Sequence, residues 1–292
     1  MKLYNFIFLL FLFLISNCAS SQNDNQELQK MFDEDQKARS SSNIDWFILS
    51  KHDKEREKRV YEMIDAGLIK TGKDYYNSAM IFQHGNDIKA SSMAVQQMRK
   101  AIELDSTINK WLLAAAIDRD LMRKNKPQIY GTQYVKIRED TKWTRYTIDS
   151  TQVTDEQRKE FNVETLAEQI EKERIMNLNP ISEYYNKSIS IVETIGFILA
   201  EYAKGKNSTY DVTEHGLNSF GYELLYSNKA NDALEIFKLN TQLHPNGYNT
   251  FDSLGECLMI LGKKEEGIAA YKKSLELNSK NENAKKIIND QK

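Results

Sequence analysis

Apolar residues recur at spacings of three, four and seven over most of this chain, which is the pattern of amphipathic α-helices. The first clear helix covers residues 44–63, and Gly67 follows it as the expected C-terminal cap. A second helix begins at a cap within residues 71–74 and ends at residues 82–85, where Gly85 is expected to leave the helix. The front of the chain is therefore predicted to be a series of short helices.

Two more helices follow, and the second of them is the most apolar. Their predicted N-terminal caps are Asn86 or Asp87 for the first, and Ser106 or Thr107 for the second. Ala94 and Ala101 lie seven residues apart, as in the second helix of a tetratricopeptide hairpin, so residues 71–126 predict a helical-hairpin array. The helix over residues 108–123 is apolar on all sides near its middle, which predicts a central position.

Asp118 lies on this central helix, on the same face as Trp111, Ala114 and Ala115. The helix therefore carries a carboxylate toward the interior, where an unpaired charge is costly. Its partner is expected to be Arg119, His84 or a backbone N–H group.

The region after Pro127 changes character. Residues 143–149 alternate large and polar side chains, which predicts a strand and a small hairpin with residues 130–137. Thr154 and Gln157 predict a capping box, and a charged helix is expected over residues 162–174.

A repeat with a period of 34 residues begins near residue 217. Its matched pairs are Phe220 and Leu254, Gly221 and Gly255, Leu224 and Leu258, Ala233 and Gly267, Phe237 and Tyr271, and Leu243 and Leu277. This is the tetratricopeptide signature, in which small residues let paired helices approach and aromatic rings fill the space between them. Residues 189–203 are expected to supply a preceding helix, and residues 284–288 a terminal one.

Residues 3–15 are almost wholly apolar, too few for a comfortable membrane span, and they predict an export signal. Residues 15–18 resemble a bacterial lipobox, with Cys18 as the lipid-bearing first residue of the mature protein and Asn17 as a departure from the usual pattern. The alternative is an ordinary signal peptide with an incidental cysteine. Residues 18–43 are polar and predict a flexible tether, with room for a short helix near residues 28–32.

Composition narrows the possible functions. The 292 residues are 40% apolar and 28% charged with a net charge of −2, which fits a helical globular protein and gives no basic nucleic-acid footprint. Cys257 is expected to be a buried helix residue with no disulfide to Cys18. Nucleotide-binding glycine loops and metal-ligand pairs of histidines are missing from the sequence, so no cofactor and no metal are predicted.

Three motifs in the front half carry a resemblance. They are IFQHG at residues 81–85, W-x-x-A-x-x-x-D-R at 111–119 and P-Q-x-Y-G-T-Q at 127–133. Together they resemble an uncharacterised bacterial domain family, and the similarity continues through Arg158 and Leu166 to cover about residues 45–178. The resemblance implies that His84, Asp118, Arg119, Gln128 and Gln133 form one constellation, and it implies no activity.

The tail resembles one that follows exported serine hydrolase domains of the β-lactamase type. Residues 217–225, 237–240, 251–256 and 271–278 carry this likeness. The chain has neither Ser-x-x-Lys nor Gly-x-Ser-x-Gly, so the likeness implies a portable interaction module and no hydrolase activity.

Three interpretations of the polar constellation remain open: a buried network that locks the Gly131 turn, a ligand-binding site, or a catalytic site. The catalytic candidates are His84, Asp118 and Arg119, and the binding candidates are Gln83, Gln128, Tyr130 and Gln133.

We therefore predict a mainly α-helical protein in four parts. These are a lipoprotein signal peptide at residues 1–17, a tether at 18–43, a helical domain at 44–178 and a tetratricopeptide domain at 179–292. The favoured function is an envelope-anchored scaffold that binds a protein or peptide partner and contacts the membrane through lipid on Cys18. The alternatives are an envelope enzyme, such as a hydrolase, that uses His84, Asp118 and Arg119, and a purely structural spacer.

Overall fold

A computed structural model describes residues 23–41, 43–136, 142–188 and 190–290. Within these ranges the chain forms fourteen α-helices and one two-stranded sheet, which confirms the mainly α-helical class. The chain divides into two compact units, Met1–Gln169 and Ile170–Lys292, called unit 1 and unit 2 below. The predicted boundary lay later, at residue 179. The residues of the predicted signal peptide, and Cys18, lie outside the described residues.

Unit 1 is built on helical hairpins. Its elements are α1 (Gln26–Arg39), α2 (Trp46–Asp65), α3 (Gly72–Gln83), α4 (Ile88–Leu104), α5 (Trp111–Arg123), β1 (Tyr134–Val135), β2 (Thr144–Arg145), α6 (Asp155–Glu160) and the start of α7 (Leu166–Met176). α3 and α4 pair closely because Ala94 and Ala101 are fully buried between helices, as their spacing predicted.

The predicted tether was wrong for most of its length, because residues 26–39 fold as α1. Asn25 caps this helix, and Leu28 is fully buried in the core with Val60 and Met63. Asp35 is also buried, and its carboxylate pairs with Arg56 at 3.0 Å. Leu28, Met31 and Phe32 form a short apolar face on α1, and charged pairs attach the rest of the helix to unit 1.

The helix boundaries follow local capping. Thr71 and Asp74 form a capping box on α3, and Asp87 caps α4 by accepting the Ala90 N–H, as predicted. α5 begins three residues later than predicted, at Trp111, whose N–H is bonded by the Asn109 carboxamide oxygen rather than by Ser106 or Thr107.

The two glycines expected to end helices do so differently. Gly67 has φ +66° and follows α2 as predicted. Gly85 keeps an ordinary φ; it is required because a Cβ there would overlap the Ala90 side chain.

The predicted hairpin is confirmed by β1 and β2, with Tyr134 opposite Arg145 and Val135 opposite Thr144. The Thr154–Gln157 capping box of α6 is confirmed as well. α7 starts at Leu166 instead of residue 162, because Asn162 is left-handed with φ +56° and the Thr165 hydroxyl bonds the Glu168 N–H as the real cap.

Unit 2 is a run of hairpins with one continuous core. Its elements after α7 are α8 (Ile181–Ser188), α9 (Ile191–Ala203), a 3₁₀ turn (Gly205–Asn207), α10 (Glu214–Tyr226), α11 (Ala230–Leu243), α12 (Tyr248–Ile260), α13 (Lys264–Leu277) and α14 (Glu282–Asp290). A Cβ on Gly221 would lie 2.5 Å from the Phe237 ring, and one on Gly255 would lie 3.0 Å from the Tyr271 ring. The same glycine–aromatic contact thus recurs after 34 residues, as the repeat predicted.

Candidate functional site

Asp118 is the centre of the buried polar network in unit 1. It lies in α5 and is fully buried. One carboxylate oxygen accepts the N–H groups of Ile129 and Tyr130, and the other accepts those of Gly131 and Thr132, all at 2.9 Å. The Thr132 hydroxyl donates a fifth hydrogen bond at 2.9 Å. Of the three predicted kinds of partner, backbone N–H groups are therefore the ones that pair with this carboxylate.

The opposite side of the same turn is held by carbonyl contacts. Arg158, which is 1% exposed, donates to the carbonyl oxygens of Ile129 and Tyr130. Gln169 also donates to the Tyr130 carbonyl, at 2.7 Å. The turn thus has its N–H groups bonded by an anion and its carbonyls bonded by a cation and an amide, which is the satisfied arrangement that a buried segment requires. Gly131, at φ +94°, supplies the left-handed residue of this turn.

Gln128 and Gln133 bind each other across this turn. The Gln128 side chain accepts the Gln133 N–H and donates to the carbonyls of Gln133 and Tyr146. Gln128 is fully buried, Gln133 is 6% exposed and Tyr130 is 8% exposed. The structure brings none of these three predicted binding residues to an open surface.

Arg119 points away from Asp118, although the two are adjacent in sequence. Its guanidinium donates to the Gln83 carbonyl at 2.8 Å and to the Gln133 carboxamide oxygen at 3.1 Å. Burial, followed by the charges of Arg123 and Arg39, lowers the pKa of Arg119 to about 10. The group therefore lies among like charges and is bonded by neutral oxygens.

His84 is paired with α1 and not with Asp118. Its Nδ1 atom lies 2.9 Å from an Asp35 carboxylate oxygen and 3.0 Å from Arg39 Nε. One ring nitrogen cannot donate to Asp35 and accept from Arg39 at once, so these two contacts are alternatives set by the ring's protonation. Burial tends to raise the pKa of Asp35, but the hydrogen bond and charge of His84, with Arg39 and Arg56, hold that pKa below its usual range. The structure does not form the His84–Asp118 pair on which the catalytic interpretation depended.

His84 and Arg119 meet at an open cleft of about 420 Å³ in unit 1, called the arginine cleft below. Its lining residues are Arg39, Trp46, Ser50, Asp53, Gln83, His84, Asn86, Arg119 and Arg123. Sequence reasoning found Gln83, His84 and Arg119. It missed Arg39 because α1 was taken for a tether, whereas Arg123 was detectable from its i, i+4 spacing to Arg119.

Unit 2 carries a second candidate surface on the first helix of each repeat. Positions related by the 34-residue period form two parallel stripes: Asn218, Tyr222 and Tyr226 on α10, and Asp252, Glu256 and Ile260 on α12. The Tyr222 hydroxyl donates to Glu256 at 2.6 Å and its ring stacks near that of Tyr226, with centroids 5.8 Å apart. Tyr226 is 78% exposed and Ile260 59% exposed. We call these six residues the stripe surface.

Cys257 is the free cysteine of the described ranges. No cluster of three or more His, Cys, Asp or Glu side chains there could hold a metal ion. Cys257 is fully buried as predicted, and burial followed by the nearby charge of Glu256 raises the pKa of its thiol to about 11. Across residues 23–41, 43–136, 142–188 and 190–290, none of the helices combines the length and apolar character of a membrane span.

Comparison with known proteins gives one family match. Residues 249–281, most of the second repeat, match the tetratricopeptide repeat family. No curated protein matches the chain. Among solved structures, the chain is similar to the crystal structure of the TPR domain of P58(IPK), with 11% sequence identity and a TM-score of 0.27. That similarity covers 90% of this chain and 64% of the other, so the chain spans less than two-thirds of that structure's length.

Proposed function

We propose that this protein is a binding scaffold whose unit 2 holds a protein or peptide partner on the stripe surface. The tetratricopeptide match at residues 249–281 supports a protein-interaction module. The single observation that carries the proposal is the pair of exposed side chains at equivalent positions, Tyr226 and Ile260. Large apolar groups left exposed at the same place in successive repeats are typical of a contact surface.

The chemistry of the stripe surface favours a particular kind of segment. Tyr226 and Ile260 offer apolar contacts, and Glu256 places a carboxylate one helical turn from Ile260. The Asp252 carboxylate accepts from the Asn281 and Asn283 side chains. A peptide segment that presents apolar side chains and a basic group would complement both features.

The test is a double variant, Tyr226→Ala with Ile260→Ala, in the full-length protein. Captured partners from an envelope extract would be identified by mass spectrometry after crosslinking. Val192→Ala in α9 is the matched control, because Val192 is 76% exposed and lies outside the stripe surface. We expect the double variant to lose a partner that the parent and the control both retain, with unfolding free energy within about 0.5 kcal/mol of the parent. Retention of every partner by the double variant would reject the proposal.

We also propose that the scaffold is exported and held at the cell envelope by lipid on Cys18. The apolar run at residues 3–15 and the lipobox-like residues 15–18 support this. Labelling with a radioactive fatty acid should mark the parent protein and leave Cys18→Ser unmarked. Equal labelling of both proteins, or of neither, would contradict the anchor without affecting the proposed partner surface.

A further inference from the structure

The lining of the arginine cleft carries more positive than negative charge. Its lining holds three arginines and one aspartate. Arg39 is already paired with Asp53 at 2.7 Å. The buried pair of Asp35 and Arg56 behind it adds one charge of each sign and leaves the excess in place. Among the residues that line the cleft, the surplus positive charge therefore belongs to Arg119 and Arg123.

Arg119 and Arg123 lie one turn apart on α5 and use their donors on neutral oxygens. Arg119 bonds the Gln83 carbonyl and the Gln133 side chain, and Arg123 bonds the carbonyls of Asp87 and Gly85. Within the ranges that the structure describes, neither forms an ion pair with a carboxylate.

The two arginines differ in the sign of the charges around them. Asp87, Glu57 and Asp120 act on Arg123 from a distance, whereas the charges that act on Arg119 are those of Arg123 and Arg39. A partly buried guanidinium among like charges is a site where an anion gains more than it would at an ordinary surface arginine.

Trp46 supplies a second kind of contact at the cleft. It is the first residue of α2 and is 68% exposed, although it is one of only three tryptophans in the chain. A flat indole at the mouth of a cationic cleft can cover the apolar part of a ligand whose anionic end reaches the arginines. Gln83, which is 4% exposed, lines the same cleft, and its backbone carbonyl accepts a hydrogen bond from Arg119 and so fixes the guanidinium.

We propose that the arginine cleft binds an organic oxyanion, with its carboxylate or phosphate group on Arg119 and Arg123 and its apolar body against Trp46. Carboxylate and phosphate share the geometry that a guanidinium fork recognises, so the anionic group is defined here by that common chemistry. This ligand is separate from the partner proposed for unit 2, and either site can exist without the other.

Calorimetric titration of the full-length protein in a non-ionic detergent tests the proposal, with inorganic phosphate and benzoate as probes at constant ionic strength. Benzamide is the neutral match for benzoate. Arg119→Gln, Arg123→Gln and Trp46→Ala remove the proposed contacts. Arg99→Gln is the control, because it removes one positive charge from an exposed residue of unit 1 outside the cleft.

We expect at least one anion to bind with a Kd of about 1 mM or tighter, and benzamide not to bind. Each cleft arginine variant should weaken binding at least about tenfold, the effect of losing one charge-assisted hydrogen bond. Arg99→Gln should leave affinity unchanged. Trp46→Ala should weaken benzoate and spare phosphate. If Arg119→Gln does not fold, Arg123→Gln and Trp46→Ala still decide the result.

The two probes also identify the source of the anion. Binding of benzoate alone supports a carboxylate ligand, and binding of phosphate alone supports a phosphate ester. The proposal is overturned if neither anion saturates the protein by about 10 mM, or if Arg99→Gln weakens binding as much as Arg123→Gln.

Discussion

Replacing Asp118 by asparagine tests whether the buried network holds unit 1 together. The substitution keeps the shape of the side chain and one acceptor oxygen, and it exchanges the other oxygen for an NH₂ group. Whichever way the new carboxamide is turned, its NH₂ group faces two backbone N–H donors, either those of Ile129 and Tyr130 or those of Gly131 and Thr132. Two hydrogen bonds become donor–donor contacts.

The magnitude follows from the number of bonds lost. A hydrogen bond to a charged group contributes roughly 1.5–3 kcal/mol, so losing two predicts a decrease of about 3–6 kcal/mol in the free energy of unfolding. That is a large share of the roughly 5–15 kcal/mol available to a typical domain. Asp118→Ala should cost at least as much, because it leaves four buried N–H groups without their acceptor.

Urea unfolding followed by tryptophan fluorescence measures this effect in unit 1 alone, because Trp46, Trp111 and Trp143 all precede residue 170. Asp120→Asn is the matched control. Its carboxylate lies two residues further along α5, accepts from two serine hydroxyls and pairs with Lys124 near the surface, so a loss below about 1 kcal/mol is expected. An Asp118→Asn protein within about 1 kcal/mol of the parent would refute the network argument.

Three further predictions rest on other features of the structure. Gly131→Ala should lower the free energy of unfolding by about 3 kcal/mol or more, because the position is left-handed and a Cβ there would overlap the Gln169 side chain. Gly196→Ala is the control: it lies in open space on α9 and should raise the free energy of unfolding by up to about 1 kcal/mol. Urea titration compares the two variants. The depressed pKa of Asp35 stabilises the fold at pH values above about 4, and this contribution is lost as pH falls through the folded-state pKa. The urea concentration at the unfolding midpoint should therefore fall between about pH 5 and pH 2 in the parent, and it should fall less in Asp35→Asn. An equal fall in both proteins would contradict the ion network. Cys257, whose thiol pKa is raised to about 11, should resist a thiol reagent at pH 8 in a Cys18→Ser background until urea unfolds unit 2, and rapid labelling of the folded protein would show that the thiol is accessible.

The repeat in unit 2 was predictable because equivalent residues recur every 34 positions in the sequence. Gly221 and Gly255 stand opposite aromatic rings sixteen residues later in each hairpin, and both partners lie within one repeat. Some helix caps are equally local: Thr154 was predicted, and Thr71 and Asp87 lie within the predicted alternatives, whereas the caps of α5 and α7 were not predicted. Contacts that recur with a fixed spacing along the chain leave a pattern that can be read from sequence alone.

The partners of the buried carboxylates in unit 1 could not be predicted in this way. Helical periodicity predicted that Asp118 is buried. It did not decide whether the carboxylate oxygens would accept from an arginine, a histidine or the backbone N–H groups of a turn. The choice depended on how residues 129–132 fold back over α5. Only a short part of α1, near residues 28–32, was predicted. The rest was missed for a related reason, since Asp35 is buried by pairing with residues such as Arg56 and His84, which are distant in sequence.

The folding of α1 limits how far unit 1 could lie from the lipid proposed on Cys18. Asn25 is fixed to unit 1 by its backbone N–H, which donates to the buried Asp74 carboxylate at 2.7 Å. If Cys18 carries lipid, only seven peptide steps, from residue 18 to residue 25, separate the two. A fully extended chain of that length reaches at most about 25 Å. The Asn25 end of unit 1 would then lie within about 25 Å of the bilayer surface. The ligand of the arginine cleft would have to be a molecule that is present close to the membrane.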